Sequence, residues 1–299
     1  GTGVSFKLQP EGTELSRMAI MKAGDVQFGN ITGTEMAPAF FGRQTFDVEG
    51  WGPQPVRIAW LGGPNPAGFA VRGDSGIKTP NDLRGKKVAS YDTYAMVQGH
   101  MEGVLAFAGL TWNDVIRVPV GGTQQARQAV LDGAADTAFF PTGNSQAYQL
   151  EASSHGIGWI DFPAADIEGW KRLQEHSPAL VPMVITSGPG ITPAKPVNGI
   201  TYDLVLATWE TQDPQMVYWM VKQLDQYFND FKDTVAGLEY WNIGYALDPT
   251  HLIAPYHDGS IQYFKEIGKW TPALEKKQQS LLTQFTQARA DWEKAHPGW

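Results

Sequence analysis

Five short polar turns lie where the sequence predicts that a strand ends and a helix begins. They are Thr13-Glu14, Thr32-Gly33-Thr34, Asp92-Thr93-Tyr94, Thr123-Gln124 and Thr142-Gly143-Asn144. The first turn of a helix has unpaired N–H groups and a partial positive charge, and both attract polar or anionic groups. We therefore expect the five turns to face one cleft and to bind a small polar or anionic molecule there. For each single residue, a purely capping role is an equally good interpretation.

The third of these turns carries the strongest local signals. Residues 86–91 have the composition of a short strand, and residues 95–110 have apolar side chains at helical spacing. Asp92 or Thr93 is predicted to cap that helix. Because ligands bind at the carboxyl ends of strands in open α/β sheets, we expect Thr93 and Tyr94 to line the cleft. The alternative is that Tyr94 packs into the core of its own lobe.

Strand and helix patterns alternate along most of the chain, which is typical of an α/β fold. Two strand–turn–helix units at the beginning, with strands at 4–8 and 26–31, predict parallel pairing. Further strands are predicted at 56–61 and 69–72. The Gly- and Pro-rich segment 62–66 between them is predicted to be a turn.

The predicted layout is two α/β units followed by helices, including long amphipathic helices at 214–228 and 273–295. Crossings of the chain near residue 80 and at 188–196 are expected to join two lobes, with the ligand in the cleft between them. The corresponding division is 1–83 for the first part of lobe 1, 84–190 for lobe 2, and 191–299 for the return to lobe 1 with the long C-terminal helices.

The composition disfavours several classes of protein. The 299 residues are 42% hydrophobic and 18% charged, which is typical of a folded chain large enough for two lobes. The net charge of −8 argues against nucleic acid as a partner, because phosphate binding needs a basic surface. No apolar run is long enough to span a membrane. The absence of cysteine suits an oxidising compartment, and we expect that a leader was removed from a longer precursor.

Catalytic and metal-binding motifs are weak. Residues 73–76 read Gly-Asp-Ser-Gly, which resembles the nucleophile motif of chymotrypsin-like proteases, but Ile77 stands where a further glycine is required. No G-x-S-x-G motif is present. His251 and His257 lack the H-E-x-x-H spacing of a zinc site, so a capping or surface role is favoured and no metal or cofactor is expected.

Two other classes of function stay open at this stage. An enzyme would need an acid–base set in the cleft, and Asp92 opposite Glu14 and Glu35 supplies the candidates. An interaction protein would use an aromatic surface. The 11 tryptophans of the chain are the reason for considering this class.

Several short stretches follow one another in an order that points to one protein family. They are Gly12-Thr13-Glu14, Ala23-Gly24-Asp25, Phe28-Gly29-Asn30, residues 77–88, Ala108-Gly109-Leu110, residues 131–136, residues 140–143 and, most specific, residues 255–268. Together they resemble the TAXI-type solute-binding proteins of TRAP transporters over nearly the whole chain.

The resemblance implies a two-lobed periplasmic-binding-protein fold of type II with its ligand in the interlobe cleft. It further implies a periplasmic receptor, without enzymatic activity, that delivers a small polar or carboxylate-bearing solute to TRAP permease subunits in the membrane. The binding component of an ABC-type uptake system is the alternative among transporters.

Two features depart from the family pattern. Family members usually begin with a strand and a helix ahead of residue 4. In addition, Tyr94-Ala95-Met96 stands in the place of a glycine-serine-glycine turn, which weakens the expectation of a carboxylate. We therefore expect Tyr94 to contribute to the choice of solute.

Overall fold

Two separate clusters of buried apolar side chains divide the molecule into two lobes. The computed structural model describes residues 5–11, 13–92, 94–235 and 237–298, and for Glu14 the backbone only. The core of lobe 1 includes Met36, Trp60 and Phe264. The core of lobe 2 includes Phe69 and Phe162. The predicted α/β fold class with two lobes is thereby confirmed.

The strands belong to one six-stranded sheet and one two-stranded sheet within the described residues. Their bounds are β1 (Gly29–Thr32), β2 (Val56–Arg72), β3 (Lys87–Ser90), β4 (Ile116–Pro119), β5 (Ala138–Pro141), β6 (Ile157–Trp159), β7 (Val181–Ile185) and β8 (Val197–Trp209).

Helices cover both lobes, and the two long ones begin within one residue of the predicted positions. Their bounds are α1 (Glu14–Lys22), α2 (Gly33–Phe41), α3 (Ala95–Phe107), α4 (Thr123–Leu131), α5 (Ser145–Ala152), α6 (Ile167–His176), α7 (Pro214–Gln226), α8 (Phe228–Phe231), α9 (Ile243–Ala246), α10 (Asp258–Glu266) and α11 (Pro272–Ala295). Among the described residues, no helix combines the length and the apolar content that crossing a membrane requires.

Two long antiparallel strands, β2 and β8, run from one lobe into the other. Their pairing extends from Val56 opposite Trp209 to Ala67 opposite Ile200. The turn predicted at 62–66 is therefore wrong, because this segment continues β2. Its register shifts between Leu61 and Gly63, and Gly63 has a φ of 86°. The Gly- and Pro-rich signal thus marks an irregularity within a strand and not a reversal of the chain.

The crossings between the lobes lie on β2 and β8 and not at the predicted positions. Ile77 and Leu83 are buried in the core of lobe 2, so the chain has already crossed before residue 80. Segment 188–196 connects β7 to β8, which pair antiparallel with Val181 opposite Thr201. The prolines of that segment therefore mark a connection between neighbouring strands and not a passage between lobes.

The expected parallel pairing at the start of the chain is also wrong. β1 pairs antiparallel with β8, and residues 5–10 form no regular strand. Val4 lies outside the described residues. Among the strands of the described chain, only β3 and β4 pair in parallel. The strand–turn–helix pattern indicates parallel neighbours, but β1 pairs with β8, a strand from a distant part of the chain.

Candidate functional site

A capping interaction at the start of α2 fixes the position of a buried carboxylate. The Thr32 hydroxyl accepts a hydrogen bond from the Glu35 N–H, and the Glu35 carboxylate accepts one of 2.9 Å from the Thr32 N–H. This reciprocal arrangement satisfies two unpaired donors of the helix and holds the Glu35 side chain in one orientation. The side chain of Glu35 is completely buried.

Glu35 belongs to an ion-pair network that bridges the two lobes. Arg17 on α1 donates a hydrogen bond to the Glu35 carboxylate and a second one, of 2.6 Å, to the Tyr94 hydroxyl. The Tyr94 hydroxyl donates to Glu35 at 3.2 Å. Arg17 and Glu35 lie in lobe 1, whereas the ring of Tyr94 packs in the core of lobe 2. These three side chains therefore hold the lobes together across the cleft.

The electrostatics of Arg17 follow from this pairing. Burial lowers the pKa of its guanidinium, but Glu35 and Tyr94 more than compensate, so the pKa is raised above its ordinary value. The Nε–H of Arg17 is buried and has no hydrogen-bond acceptor among the described residues. Such a donor is uncommon in native proteins, and a small ligand or a water molecule in the cleft would satisfy it.

A second contact between the lobes involves the sulfur of Met96. The Thr34 hydroxyl lies 2.8 Å from this sulfur, and the Thr32 hydroxyl lies 3.5 Å from it. Met96 follows Tyr94 at the start of α3, so two nearby side chains of lobe 2 contact the start of α2 in lobe 1. In this structure the lobes touch here.

The strands that join the lobes add polar groups beside this contact. Asn65 on β2 donates a hydrogen bond of 2.7 Å to the Tyr202 hydroxyl on β8. Burial raises the pKa of Tyr202 to about 12, so its hydroxyl stays protonated at neutral pH. The Tyr202 hydroxyl interacts electrostatically with Arg17, Glu35 and Arg127, which places it between charged groups of both lobes.

Arg127 on α4 is a largely buried cation of lobe 2. Its Nε–H donates a hydrogen bond of 3.2 Å to the Phe139 carbonyl, and its guanidinium lies 5.8 Å from the centre of the Phe140 ring. Burial lowers its pKa, and interactions with Tyr91, Tyr202 and Tyr94 oppose that shift. Within the described chain it forms no salt bridge with a carboxylate.

A cavity of about 270 Å³ lies between the lobes, next to the strands that join them. Turn 141–144 of lobe 2 lines one side, and segment 237–241 of lobe 1 lines the other. Asn65 and Leu204, from β2 and β8, also line it. Its walls are mostly apolar, and it is slightly smaller than the usual range for small-molecule sites.

The structure brings some of the predicted residues to the cleft. Thr32, Thr34 and Tyr94 form the interlobe contacts described above. Gly33 is the first residue of α2, and a Cβ there would lie 3.2 Å from Ile253. Gly143 and Asn144 line the cavity, and Asn144 also caps α5.

Other predicted residues have local roles in the structure. Thr13 caps α1 through a reciprocal interaction with Ser16, and Thr123 is the first residue of α4. Thr142 is fully buried, and both its N–H and its hydroxyl donate to the Pro66 carbonyl. The side chain of Glu14 and the whole of Thr93 lie outside the described residues.

Asp92 does not cap α3 as predicted. The N-cap position is Tyr94, which makes no capping hydrogen bond through its side chain. The Asp92 carboxylate instead pairs with Arg117 at 2.5 Å on the surface of lobe 2. Because Asp92 is exposed and Glu35 is paired with Arg17, these two candidates for an acid–base set do not meet in the structure.

The histidines considered as metal ligands also have other partners. His251 contacts the Tyr245 hydroxyl at 2.9 Å and Asp203 at 3.2 Å, and His257 caps α10. No group of three or more metal-binding side chains is found in the part of the chain that the structure describes.

Arg17, Asn65, Arg127 and Tyr202 are not among the site residues that the sequence patterns predict. The two arginines lie on helices whose first turns were selected, and Arg127 follows Thr123 by four residues, on the same helical face. That spacing is the signal that could have found it. Asn65 was assigned to a turn, and Tyr202 carried no signal beyond that of a strand.

Residues 2–268 match the model of the NMT1-like family. No curated protein sequence matches the chain. Similar solved structures include the periplasmic aliphatic sulphonate binding protein SsuA from Escherichia coli, with 15% identity, coverage of 93% of this chain and 70% of that chain, and a TM-score of 0.39. An ABC transporter periplasmic binding protein from Brucella ovis with glutathione bound has 10% identity, 76% and 59% coverage, and a TM-score of 0.44. A mutant of ArgBP from T. maritima has 14% identity, 80% and 78% coverage, and a TM-score of 0.43.

Proposed function

Because the chain belongs to the NMT1-like family, and because polar side chains join its two lobes across a cleft, we propose that it is an extracytoplasmic solute-binding protein. The observation that carries this proposal is the network of Arg17, Glu35 and Tyr94, which joins the lobes through hydrogen bonds. A contact of this kind can break and re-form when lobes open and close on a ligand. The periplasm is the compartment that we propose.

The solute is a small molecule with polar or anionic groups, carboxylate among them. Arg17 and Arg127 supply cationic donors near the cleft, and the hydroxyls of Thr34 and Tyr94 supply polar contacts. A charge-assisted hydrogen bond to such a solute contributes about 1.5–3 kcal/mol, more than a neutral one.

The membrane partner that we propose is a TRAP permease. This choice is supported by the resemblance of residues 255–268, which contain the whole of α10 and include the buried Tyr256 and Phe264. Because these side chains pack in the core, the resemblance concerns the fold of lobe 1 more than a docking surface. A neighbouring gene for a fused TRAP permease supports the proposal, whereas neighbouring ABC ATPase genes would assign the protein to an ABC-type system.

A thermal-shift screen tests the binding function directly. The panel contains carboxylates, amino acids, sulfonates and aromatic acids, and each hit is then titrated by calorimetry. A solute present at 100 times its dissociation constant stabilises the folded protein by about 2.7 kcal/mol. Absence of any stabilising compound across the panel would contradict the proposal, and chemical conversion of a hit would favour the enzyme alternative.

A further inference from the structure

Arg127 is a cation whose charge the described residues leave uncompensated. One of its five N–H donors is used for the Phe139 carbonyl, and the other four have no hydrogen-bond acceptor in the described chain. Arg17, in contrast, is paired with Glu35. Arg127 is partly buried, so its charge is less well solvated than that of a surface arginine, and a bound anion would stabilise it.

The polar groups around Arg127 are suited to an anion because they do not neutralise the cation themselves. Arg127 interacts electrostatically with the hydroxyls of Tyr91, Tyr94 and Tyr202. Burial raises the pKa of Tyr91 and of Tyr202 to about 12, so both phenols are protonated at neutral pH. The environment therefore combines an unpaired guanidinium with neutral hydroxyls.

Two neighbours of Arg127, Phe140 and Tyr202, adjoin residues that line the cavity between the lobes. The guanidinium lies against the ring of Phe140, and the next residue, Pro141, lines the cavity. Tyr202, which interacts with Arg127, accepts a hydrogen bond from Asn65, and Asn65 also lines the cavity. Arg127 does not itself line the cavity, but two of its neighbours adjoin residues that do.

The cavity is lined mainly by apolar side chains, in contrast to the charged Arg127. Leu204, Leu238 and Trp241 contribute apolar surface, and Val235 lines the cavity while 47% of it is exposed. The volume of the cavity is about 270 Å³. It is suited to a phenyl ring or a short alkyl chain more than to a second charged group.

We propose that the solute is a singly charged organic anion with an apolar body. Its carboxylate or sulfonate binds the free N–H groups of Arg127, and its ring or alkyl chain fills the cavity beside Trp241 and Leu204. This inference rests on the proposed solute-binding function and specifies which class of solute the cleft selects. Two kinds of anion bind more weakly: small anions that lack a ring or alkyl chain, and anions whose organic part is polar. Both leave the apolar cavity walls without favourable contacts.

Calorimetric titration of the intact chain with matched probes tests the class of solute. The probes are 3-phenylpropionate, its neutral amide, hexanesulfonate, acetate and glutamate. We expect 3-phenylpropionate or hexanesulfonate to bind about tenfold or more tightly than the neutral amide, acetate and glutamate. Equal binding of acid and amide, or tighter binding of glutamate or acetate, would overturn the proposal.

Substitutions of Arg127 test the head-group contact. Arg127→Gln should bring the affinity for 3-phenylpropionate down to that for its amide, and Arg127→Lys should retain part of the preference because it keeps the charge. Arg84→Gln is the matched control, because Arg84 is an exposed arginine of lobe 2 that pairs with Asp114 on the surface. Thermal unfolding checks that each variant is folded. A folded Arg127→Gln protein with the parent's preference for the acid contradicts the assignment.

Val235→Trp tests the cavity without touching the cation. Because Val235 is partly exposed, a larger side chain there should fill the cavity with little effect on folding. We expect about tenfold weaker binding of 3-phenylpropionate and unchanged binding of acetate. If other compounds of the broad screen bind but none of the anions with apolar bodies does, this inference fails and the binding function stands. If nothing binds in either set, the binding function itself fails.

Discussion

The Tyr94 hydroxyl in lobe 2 accepts a hydrogen bond of 2.6 Å from Arg17 in lobe 1. The ring of Tyr94 is packed in the core of lobe 2 and is 6% exposed. The two interpretations offered by the sequence, a core residue and a cleft residue, therefore describe different parts of the same side chain. The ring contributes to the stability of lobe 2, and the hydroxyl contributes to the contact between the lobes.

Tyr94→Phe separates these contributions because it removes only the hydroxyl. We expect the free energy of unfolding to fall by about 1 kcal/mol, the net contribution of one hydrogen bond. We expect the dissociation constant of an identified solute to rise by about tenfold, since a solute that closes the lobes depends on their contact. Calorimetric titration measures the second quantity.

Tyr148→Phe is the control for Tyr94→Phe, because Tyr148 is an exposed tyrosine on α5 of the same lobe. It should change neither stability nor affinity. Tyr94→Ala should in addition lower the free energy of unfolding by about 3–5 kcal/mol, since it removes a buried ring. If Tyr94→Phe binds solute as tightly as the parent protein, the hydroxyl has no role in solute binding.

Glu35→Gln should destabilise the protein because it removes the fully buried carboxylate that pairs with the partly buried Arg17 guanidinium. The expected loss is about 3 kcal/mol, which is typical of a broken buried ion pair. Glutamine retains an oxygen for the Thr32 N–H, so the helix cap is preserved and only the charge is lost. Urea denaturation at neutral pH measures the difference.

Glu210→Gln is the matched comparison for Glu35→Gln. Glu210 pairs with Arg57 at 2.6 Å, but 40% of its side chain is exposed. Solvent screening limits the expected loss to about 1 kcal/mol or less. Similar losses for the two variants would mean that the ion pair between Arg17 and Glu35 is no more important than a surface pair.

The start of α2 shows what could be predicted from the sequence. Thr32 was selected as a residue at a helix start, and the carboxylate three residues later completes the reciprocal cap. Such signals are local, so a short stretch of sequence contains them. The α/β class and the long C-terminal helices were predictable for the same reason, since hydrophobic periodicity is also local.

The strands that join the lobes show what could not be predicted. The segment Gly62-Gly63-Pro64-Asn65-Pro66 has the composition of a turn, but its pairing with β8 keeps it extended. A side chain on Gly62 would overlap the ring of Trp241, so this glycine is required by a contact far away in the sequence. The same holds for Arg127, whose proposed role depends on its interaction with Tyr202, far away in the sequence. Tertiary contacts decide these cases, and they leave no periodic signal.

The burial of His100 predicts that the stability of the protein depends on pH. It is buried in lobe 2, where its Nδ1 lies 2.8 Å from the Ser177 hydroxyl, and burial lowers its pKa from 6.5 to about 3. Between these two values the unfolded chain binds a proton that the folded protein does not, so stability falls as the pH falls. At pH 5 the free energy of unfolding should be about 2 kcal/mol lower than at pH 7 from this group alone.

Urea denaturation at pH 7 and pH 5 measures the effect of His100. His100→Gln should reduce the difference between the two pH values by about 2 kcal/mol, even if it also lowers stability at pH 7. His176→Gln serves as the comparison, because His176 is a partly exposed histidine of the same lobe. An unaltered pH dependence in His100→Gln would show that other groups cause it.

Thr142 and Asn144 lie in the same turn but should respond differently to substitution. The Thr142 hydroxyl is buried and donates to the Pro66 carbonyl at 3.1 Å, and the Thr142 N–H donates to the same oxygen at 2.9 Å. Thr142→Val keeps the second bond, so we expect a loss of about 1 kcal/mol in stability and little change in solute affinity.

Asn144 lines the cavity and caps α5, so Asn144→Ala should lower stability by about 1 kcal/mol and also weaken solute binding. Chemical denaturation and calorimetric titration of the two variants distinguish positioning of the turn from contact with the solute. Weaker solute binding by Thr142→Val than by Asn144→Ala would reverse this assignment.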